Sequence, residues 1–398
     1  MAEQEKQTLQ KGKSYVTVVG KAKVNDKTYG IDLEAKSSDY RYSRLNLGIE
    51  TAEGNVVYGE MMGGFSPSND YPIKARTKPV DGKSENVDIS WADRLNESII
   101  DTLSQYSTIN IGLELEGEYN GEGKDERKYI VKRFLSAYDA IVYIKEHLKD
   151  GMMIMARGSY SFQKHNGEDK KRFNIESIFL SKQESGFANF VQTILIDEDS
   201  VTKSALKDAK ESGHVAISAR AVDYVSKIDG KPVKKNMTFE FPFVVKVNEE
   251  NPELTEKIIS NLFKVKKGKV REITIEGQIL EGYEQSQVSE KDIKISKDVQ
   301  ELIAMGLYSK EEAMQKMTVR GNKISKMIFT RPFILKDKDD ATKLQIDMND
   351  NKYTPEDLYV EIEEDNKDDG QIDLSGMTEE SSNDTGDNSW LSSLGLDS

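Results

Sequence analysis

Aromatic and cationic residues alternate in several short stretches of this sequence. That pairing is what recognition of unpaired nucleobases requires: rings on which bases stack, and ammonium or guanidinium groups for phosphates. Tyr40, Tyr42 and Arg44 recur with period two just ahead of Leu45, Leu47 and Ile49. If the three aliphatic residues face a core, the other three are expected to point outward together. Tyr160, Phe162 and Lys164 share a second such face, with Lys170, Lys171 and Arg172 across the following turn. Phe65, Lys74 and Arg76 lie in a long loop placed to close over a strand of nucleic acid. In the second half Arg220 and Tyr224 share a face, and Lys227, Lys234 and Lys235 cluster at a hairpin tip. Taken singly, each of these residues reads better as a core ring or a solvated turn. Phe239, Phe241 and Phe243 in particular are expected to form one core face.

Other chemistry finds little support. The three histidines, His147, His165 and His214, are not at metal-ligand spacing, and cysteine is absent. There is no glycine-rich phosphate loop ending in Lys-Ser or Lys-Thr, no Gly-x-Ser-x-Gly elbow and no Gly-x-Gly-x-x-Gly turn. Asp337, Asp339 and Asp340 read as solvated linker in preference to a cation site. The expectation is a protein that is not an enzyme and needs no metal or cofactor.

The elements that must position these residues are mostly strands. SYVTVVGKAKV (14–24) alternates as a half-buried strand, and residues 41–51 and 55–63 form a hairpin around Ala-Glu-Gly. Residues 64–90 are a long excursion, after which Trp91, Leu95, Ile99 and Leu103 recur every four residues and predict a helix ending near Tyr106. A strand at 109–119, a helix at 136–151 and a strand pair at 152–164 and 171–180 follow. Strands, then a helix, then a closing hairpin is the order of an OB barrel. The second half repeats it: a strand at 190–197, a long hairpin at 214–228 and 231–247, a helix at 252–268, then a further strand. At an offset of 117 residues Ile141, Val142, Leu148 and Gly151 fall on Ile258, Ile259, Val265 and Gly268, which hints at a duplication. A helical pair at 297–317 and a last strand at 323–335 complete the body.

The expected fold class is therefore mainly β (α+β): two OB-like β-barrel domains with helical insertions and a disordered acidic C-terminal tail. The boundaries read 1–12 for a flexible N-terminus, 13–185 for the first domain with its insertion at 64–107, and 186–340 for the second. An acidic linker (341–364) and a tail (365–398) follow.

The net charge of -14 argues at first against a polyanionic partner. Its distribution reverses that argument. Residues 337–398 hold 19 acidic and 4 basic residues, leaving 52 basic against 51 acidic in the body. The tail composition cannot support a core, yet it ends with Trp390, Leu391, Leu394 and Leu396, expected to be the partner-binding tip. No segment is apolar for long enough to span a bilayer, and the polar start lacks a secretory pattern, so a cytoplasmic location is expected.

In this combination the chain resembles the two-OB-fold single-stranded-DNA-binding proteins of tailed bacteriophages and bacteria, which join OB folds to an acidic tail with an apolar tip. Its tip departs from the bacterial pattern of aspartates followed by a proline and a terminal phenylalanine. The resemblance implies coating of single-stranded DNA in replication, recombination or repair, with little sequence preference. It also implies recruitment of replication or recombination proteins through the tail, in the host bacterial cytoplasm if the chain is phage-encoded. The alternative is a structural or interaction protein of a virion built from two β-domains.

Overall fold

A computed structural model describes residues 8–36, 38–118, 126–165, 167–228, 231–285, 297–305, 320–336 and 342–358. The expected tail tip, the second helix of the 297–317 pair and the Asp229-Gly230 turn lie outside these residues.

The first half contains β1 (Ser14–Lys23), β2 (Tyr29–Glu34), β3 (Arg41–Ala52), β4 (Asn55–Phe65), β5 (Ile73–Arg76), β6 (Asn86–Ile89), α1 (Glu97–Thr102), β7 (Ile109–Glu116), β8 (Lys128–Phe134), α2 (Ala137–His147), β9 (Met153–His165) and β10 (Glu168–Leu180). β1 pairs antiparallel with β9 on one side and, through Lys21–Lys23, with β3 on the other. β2 continues along β3, β3 pairs with β4, and β9 with β10. A parallel bridge between Asn174 of β10 and Glu60 of β4 closes the ring. Counting β1–β2 as one bent strand, five strands close in the order 1-2-3-5-4-1 with a helix between the third and fourth, which is an OB barrel. Ser136 caps α2, accepting from the Tyr138 amide, and the helix buries Ala140, Ile141 and Ile144 at the base of the barrel.

The second half comprises β11 (Phe187–Ile196), α3 (Lys203–Ser212), β12 (His214–Ile217), β13 (Arg220–Ile228), β14 (Lys231–Glu240), β15 (Phe243–Lys246), α4 (Pro252–Ile258), β16 (Arg271–Gln285), α5 (Lys297–Ala304) and β17 (Arg320–Pro332). The same circuit recurs: β11 with β13, β13 with β14, β12 with β15, β15 parallel to β17, β17 with β16, and β16 with β11. The long hairpin expected from sequence is broken on both arms, at Ser218–Ala219 and Phe241–Pro242, so that each strand can turn the barrel corner. Proline at 242 cannot donate to the ladder. Asn251 and Pro252 start α4, which passes into a single π turn at Ile259–Phe263.

β11 also pairs with β1, from Ser14↔Gln192 to Val19↔Phe187, so both barrels belong to one hydrogen-bonded sheet. Side chains seal the junction: Tyr160 and Phe162 of the first barrel pack on Phe239 and Phe241 of the second. β16 reaches back to the tip of the β3–β4 hairpin, where the Glu281 amide donates to Asn55 Oδ1 at 2.7 Å. Glycine is required there, because a Cβ on Gly282 would stand 2.1 Å from the Gly54 carbonyl oxygen.

The helix expected from Trp91 to Tyr106 is only α1, six residues long. Ser90 and Asp93 form a turn, and Asn96 caps the helix after it. The apolar recurrence instead serves a small satellite core of Ile73, Ala75, Ile89 and Leu103 beneath the β5–β6 hairpin. Trp91 docks this insertion by stacking on Phe65, centroids 3.9 Å apart, and meeting Tyr138 edge-on.

After β17 the chain continues as β18 (Ile334–Lys336), β19 (Leu344–Ile346) and β20 (Met348–Asn349). β20 pairs with the start of β16, and Tyr353 and Leu358 are buried. No helix among the described residues is long and apolar enough to cross a membrane.

Candidate nucleic-acid interface

The outer face of an OB barrel's second and third strands is where this fold binds oligonucleotides. In the first barrel those strands are β3 and β4. Leu45, Leu47, Ile49, Val57 and Met61 fill the interior, so period two turns Tyr58, Glu60 and Met62 outward. Tyr58 is 58% exposed and Met62 48%. Tyr58 is the cross-strand partner of Gly48, and a Cβ at that glycine would lie 3.1 Å from Tyr58 Cε1. The absence of a side chain at 48 gives the ring its seat on the sheet.

Cations lie on the neighbouring strands. Lys21 and Lys23 of β1 face Glu50 and Gly48 across the β1–β3 ladder, which places them on the same outer face. Lys23 Nζ pairs with Glu50 at 2.7 Å, and this partner raises the ammonium pKa. Arg44 stands opposite Met62 on the neighbouring strand, and its buried Nη1 has no hydrogen-bond acceptor among the described residues. Arg172 of β10 lies 3.7 Å from Glu60, whose carboxyl is pushed up by burial and only partly restored by that guanidinium. Lys23 and Arg172 thus lie on the strands to either side of the β3–β4 pair that carries Tyr58.

The residues expected to stack on bases fare differently. Tyr42 is not exposed: it is 3% accessible, with Tyr40 stacked over it at 6.1 Å. The Tyr40 hydroxyl pKa is raised by burial. Tyr160 and Phe162 are almost wholly withdrawn from solvent, because the second barrel covers that face of β9. Lys171 goes with them, its Nζ 4.7 Å from the Tyr160 ring and 5.5 Å from that of Phe241, and desolvation lowers its pKa. Lys164 pairs with Asp169 at 3.4 Å, and Lys170 is half-buried on the same hairpin.

Phe65 is not a loop residue awaiting a ligand but the last residue of β4, stacked on Trp91. Lys74 is exposed and paired with Asp88, and Arg76 donates from Nε to Asn86 at 3.2 Å. In the second barrel Tyr224, Lys234 and Lys235 are exposed, while Arg220 and Lys227 are half-buried. Phe239, Phe241 and Phe243 form the expected core face. Trp390, Leu391, Leu394 and Leu396 lie outside the described residues.

Tyr58, Met62, Lys21 and Lys23 were missed by the sequence reading. The signal was present: once Val57 and Met61 are inward in the β3–β4 hairpin, Tyr58 and Met62 must face out. Among the described residues no cluster of three or more His, Cys, Asp or Glu is arranged to hold a metal ion.

No protein-family model matches this chain, and neither does any curated protein sequence. The assignment of two OB barrels rests on strand connectivity. Among solved structures, the chain is similar to wild-type single-stranded DNA binding protein from Thermus aquaticus at 9% identity and a TM-score of 0.31, covering 68% of this chain and 87% of that one. A deletion mutant of the same Thermus aquaticus protein gives 10% identity and a TM-score of 0.29, covering 68% and 88%.

Proposed function

We propose that this chain is a non-enzymatic single-stranded-nucleic-acid-binding protein whose primary site is the outer β3–β4 face of the first barrel. The observation that supports this reading is Tyr58: a large ring, more than half exposed, seated on a glycine at the centre of an OB barrel's second and third strands, with Lys21, Lys23, Arg44 and Arg172 on the same strands or their neighbours. An exposed ring on a sheet offers every base a π face, and the flanking cations offer phosphates their counter-charge, so the geometry favours single strands without reading sequence. DNA coating in replication, recombination or repair, and recruitment of partners by the acidic tail, extend the same reading.

Titration of labelled oligo(dT) against a duplex of equal length tests it. Single-strand preference that weakens steeply with salt is the expected result. Equal affinity for the duplex, or no binding at low salt, refutes it.

A further inference from the structure

Five strands and a helix complete the first barrel, and the β7–β8 hairpin is an addition to it: β7 lies parallel to β10, and β8 lies outside β7. Lys128–Phe134 of β8 therefore end the sheet, pairing with nothing beyond β7 among the described residues. Such an edge presents a row of backbone donors and acceptors to any strand that meets it, and folded proteins usually blunt it. The other edges here are blunted. β2 bulges between Gly30 and Leu33, β12 is four residues long, and β14 carries Pro232 and, at Lys234, a positive φ of 49°. β8 runs for seven residues without proline or glycine, and Ile130 and Val131 are exposed at its centre. Its one irregularity falls on the inner side, where Gly112 and Leu113 of β7 stand against Val131.

The charges on this edge select its occupant. β8 holds Lys128, Lys132 and Arg133 and no acid, but two of the cations are balanced from within: Lys128 faces Glu116 across the ladder, and Arg133 pairs with Asp101. A two-fold axis relating two antiparallel edge strands stands normal to the sheet, so opposite residues lie on one face and one residue meets its own copy. Centring the pair on Ile130 would set Lys128 against Lys132, and centring it on Lys132 would set that lysine against itself. Centring it on Val131 sets Lys132 against Ile130, Arg133 against Tyr129 and Lys128 against Phe134. Every cation then meets an aliphatic or aromatic side chain, and two of the three meet rings. The edge is complementary to a second copy of itself in that register.

We propose that β8 is a homodimer interface, at which two copies of this chain pair their β8 edges antiparallel about Val131 and join their sheets into one. The relation is isologous and closes at two copies. Seven residues a side make a small interface, of the class that associates weakly, so the dimer forms on concentration and dissociates on dilution. Because the added strand lies in the plane of the sheet, it leaves the outer β3–β4 face uncovered.

The full-length chain has no cysteine, so Val131→Cys introduces its one thiol. Opposite residues of an antiparallel pair have Cα atoms about 4.5–5.5 Å apart, within disulfide range, and Val131→Cys should oxidise to a covalent dimer in high yield. Lys132→Cys is also exposed, but its copies would stand diagonally at about 7–8 Å and should stay largely monomeric. Sedimentation of the wild type should show a dimer that dissociates on dilution. Ile130→Lys sets a lysine against Lys132 in both halves of the pair and should raise the dissociation constant about tenfold. Adding Lys132→Glu to it should restore the dimer, a rescue that a misfolded β8 would not give. A wild type that stays monomeric at its highest soluble concentration overturns the proposal and leaves the edge to a strand of other chemistry. Equal crosslinking of the two cysteine variants overturns it as well, as does a wild-type dimer that survives Ile130→Lys undiminished.

Discussion

The ring of Phe162 in the first barrel stacks on the ring of Phe239 in the second, with centroids 5.6 Å apart and planes inclined by 23°. Both residues are almost wholly buried, at 4% and 1%. A ring expected to stack on bases and a ring expected in a core face thus hold one half of the protein to the other.

Phe162→Ala should accordingly behave as a core mutation, lowering stability by about 3–5 kcal/mol. Chemical denaturation would show the loss. Any fall in single-strand affinity should track the unfolded fraction, and a variant of wild-type stability with weak binding would contradict the assignment.

Tyr58→Ala should do the opposite, weakening oligo(dT) binding by roughly 1–3 kcal/mol while leaving the denaturation midpoint within experimental scatter. Tyr42→Ala, one neighbouring strand away but buried, should cost stability first. Fluorescence anisotropy and urea melts on the same two variants separate these outcomes.

Lys171 places an ammonium between the Tyr160 and Phe241 rings, and burial lowers its pKa. A lysine whose folded pKa is depressed carries a penalty at neutral pH that fades as pH rises through the lowered value towards 10.5. Lys171→Met should therefore raise stability at pH 7 by roughly 1 kcal/mol, and its advantage over wild type should shrink in alkaline buffer. A destabilised variant at pH 7 would mean that the cation's contacts with the two rings and with Glu281 outweigh its desolvation.

Asp350 titrates in the opposite sense. The Arg271 guanidinium holds its carboxyl below the usual value near 3.8, with Lys266 and Lys269 adding attraction. A depressed acid stabilises the folded arrangement fully above its ordinary pKa, and that stabilisation is lost as pH falls through the lowered value. Exchange protection of residues 342–358 should fade as pH falls below about 3.8, ahead of the barrel cores, and Asp350→Asn should remove most of that pH dependence. Equal acid sensitivity in wild type and variant would place the trigger elsewhere.

The circuit of strands was largely legible in the sequence, because period-two alternation and turn residues mark strands locally. SYVTVVGKAK and the 41–65 hairpin appear in the structure within a few residues of their expected limits. What alternation cannot tell is which side of a strand meets a second barrel. Tyr160 and Phe162 lie on one face of β9, and only the pairing of β11 with β1 brings Phe239 and Phe241 over them. The period-four spacing of Trp91, Leu95, Ile99 and Leu103 misled for a related reason: Leu103 belongs to the satellite core and Trp91 packs against it, but a Ser90–Asp93 turn precedes the one short helix. Val222 and Thr238 alternate as an open face should, and lie covered because a segment more than a hundred residues later returns to them.

Strand β11 is hydrogen-bonded along both edges, to β1 of the first barrel and to β16 of the second. A strand held in this way cannot slide by one residue without turning its whole side-chain set inside out. The angle between the two barrels is consequently set in steps of the ladder and does not drift as it would across a linker. The protein is a rigid protractor, and any polymer that visits both barrels must supply the curvature itself.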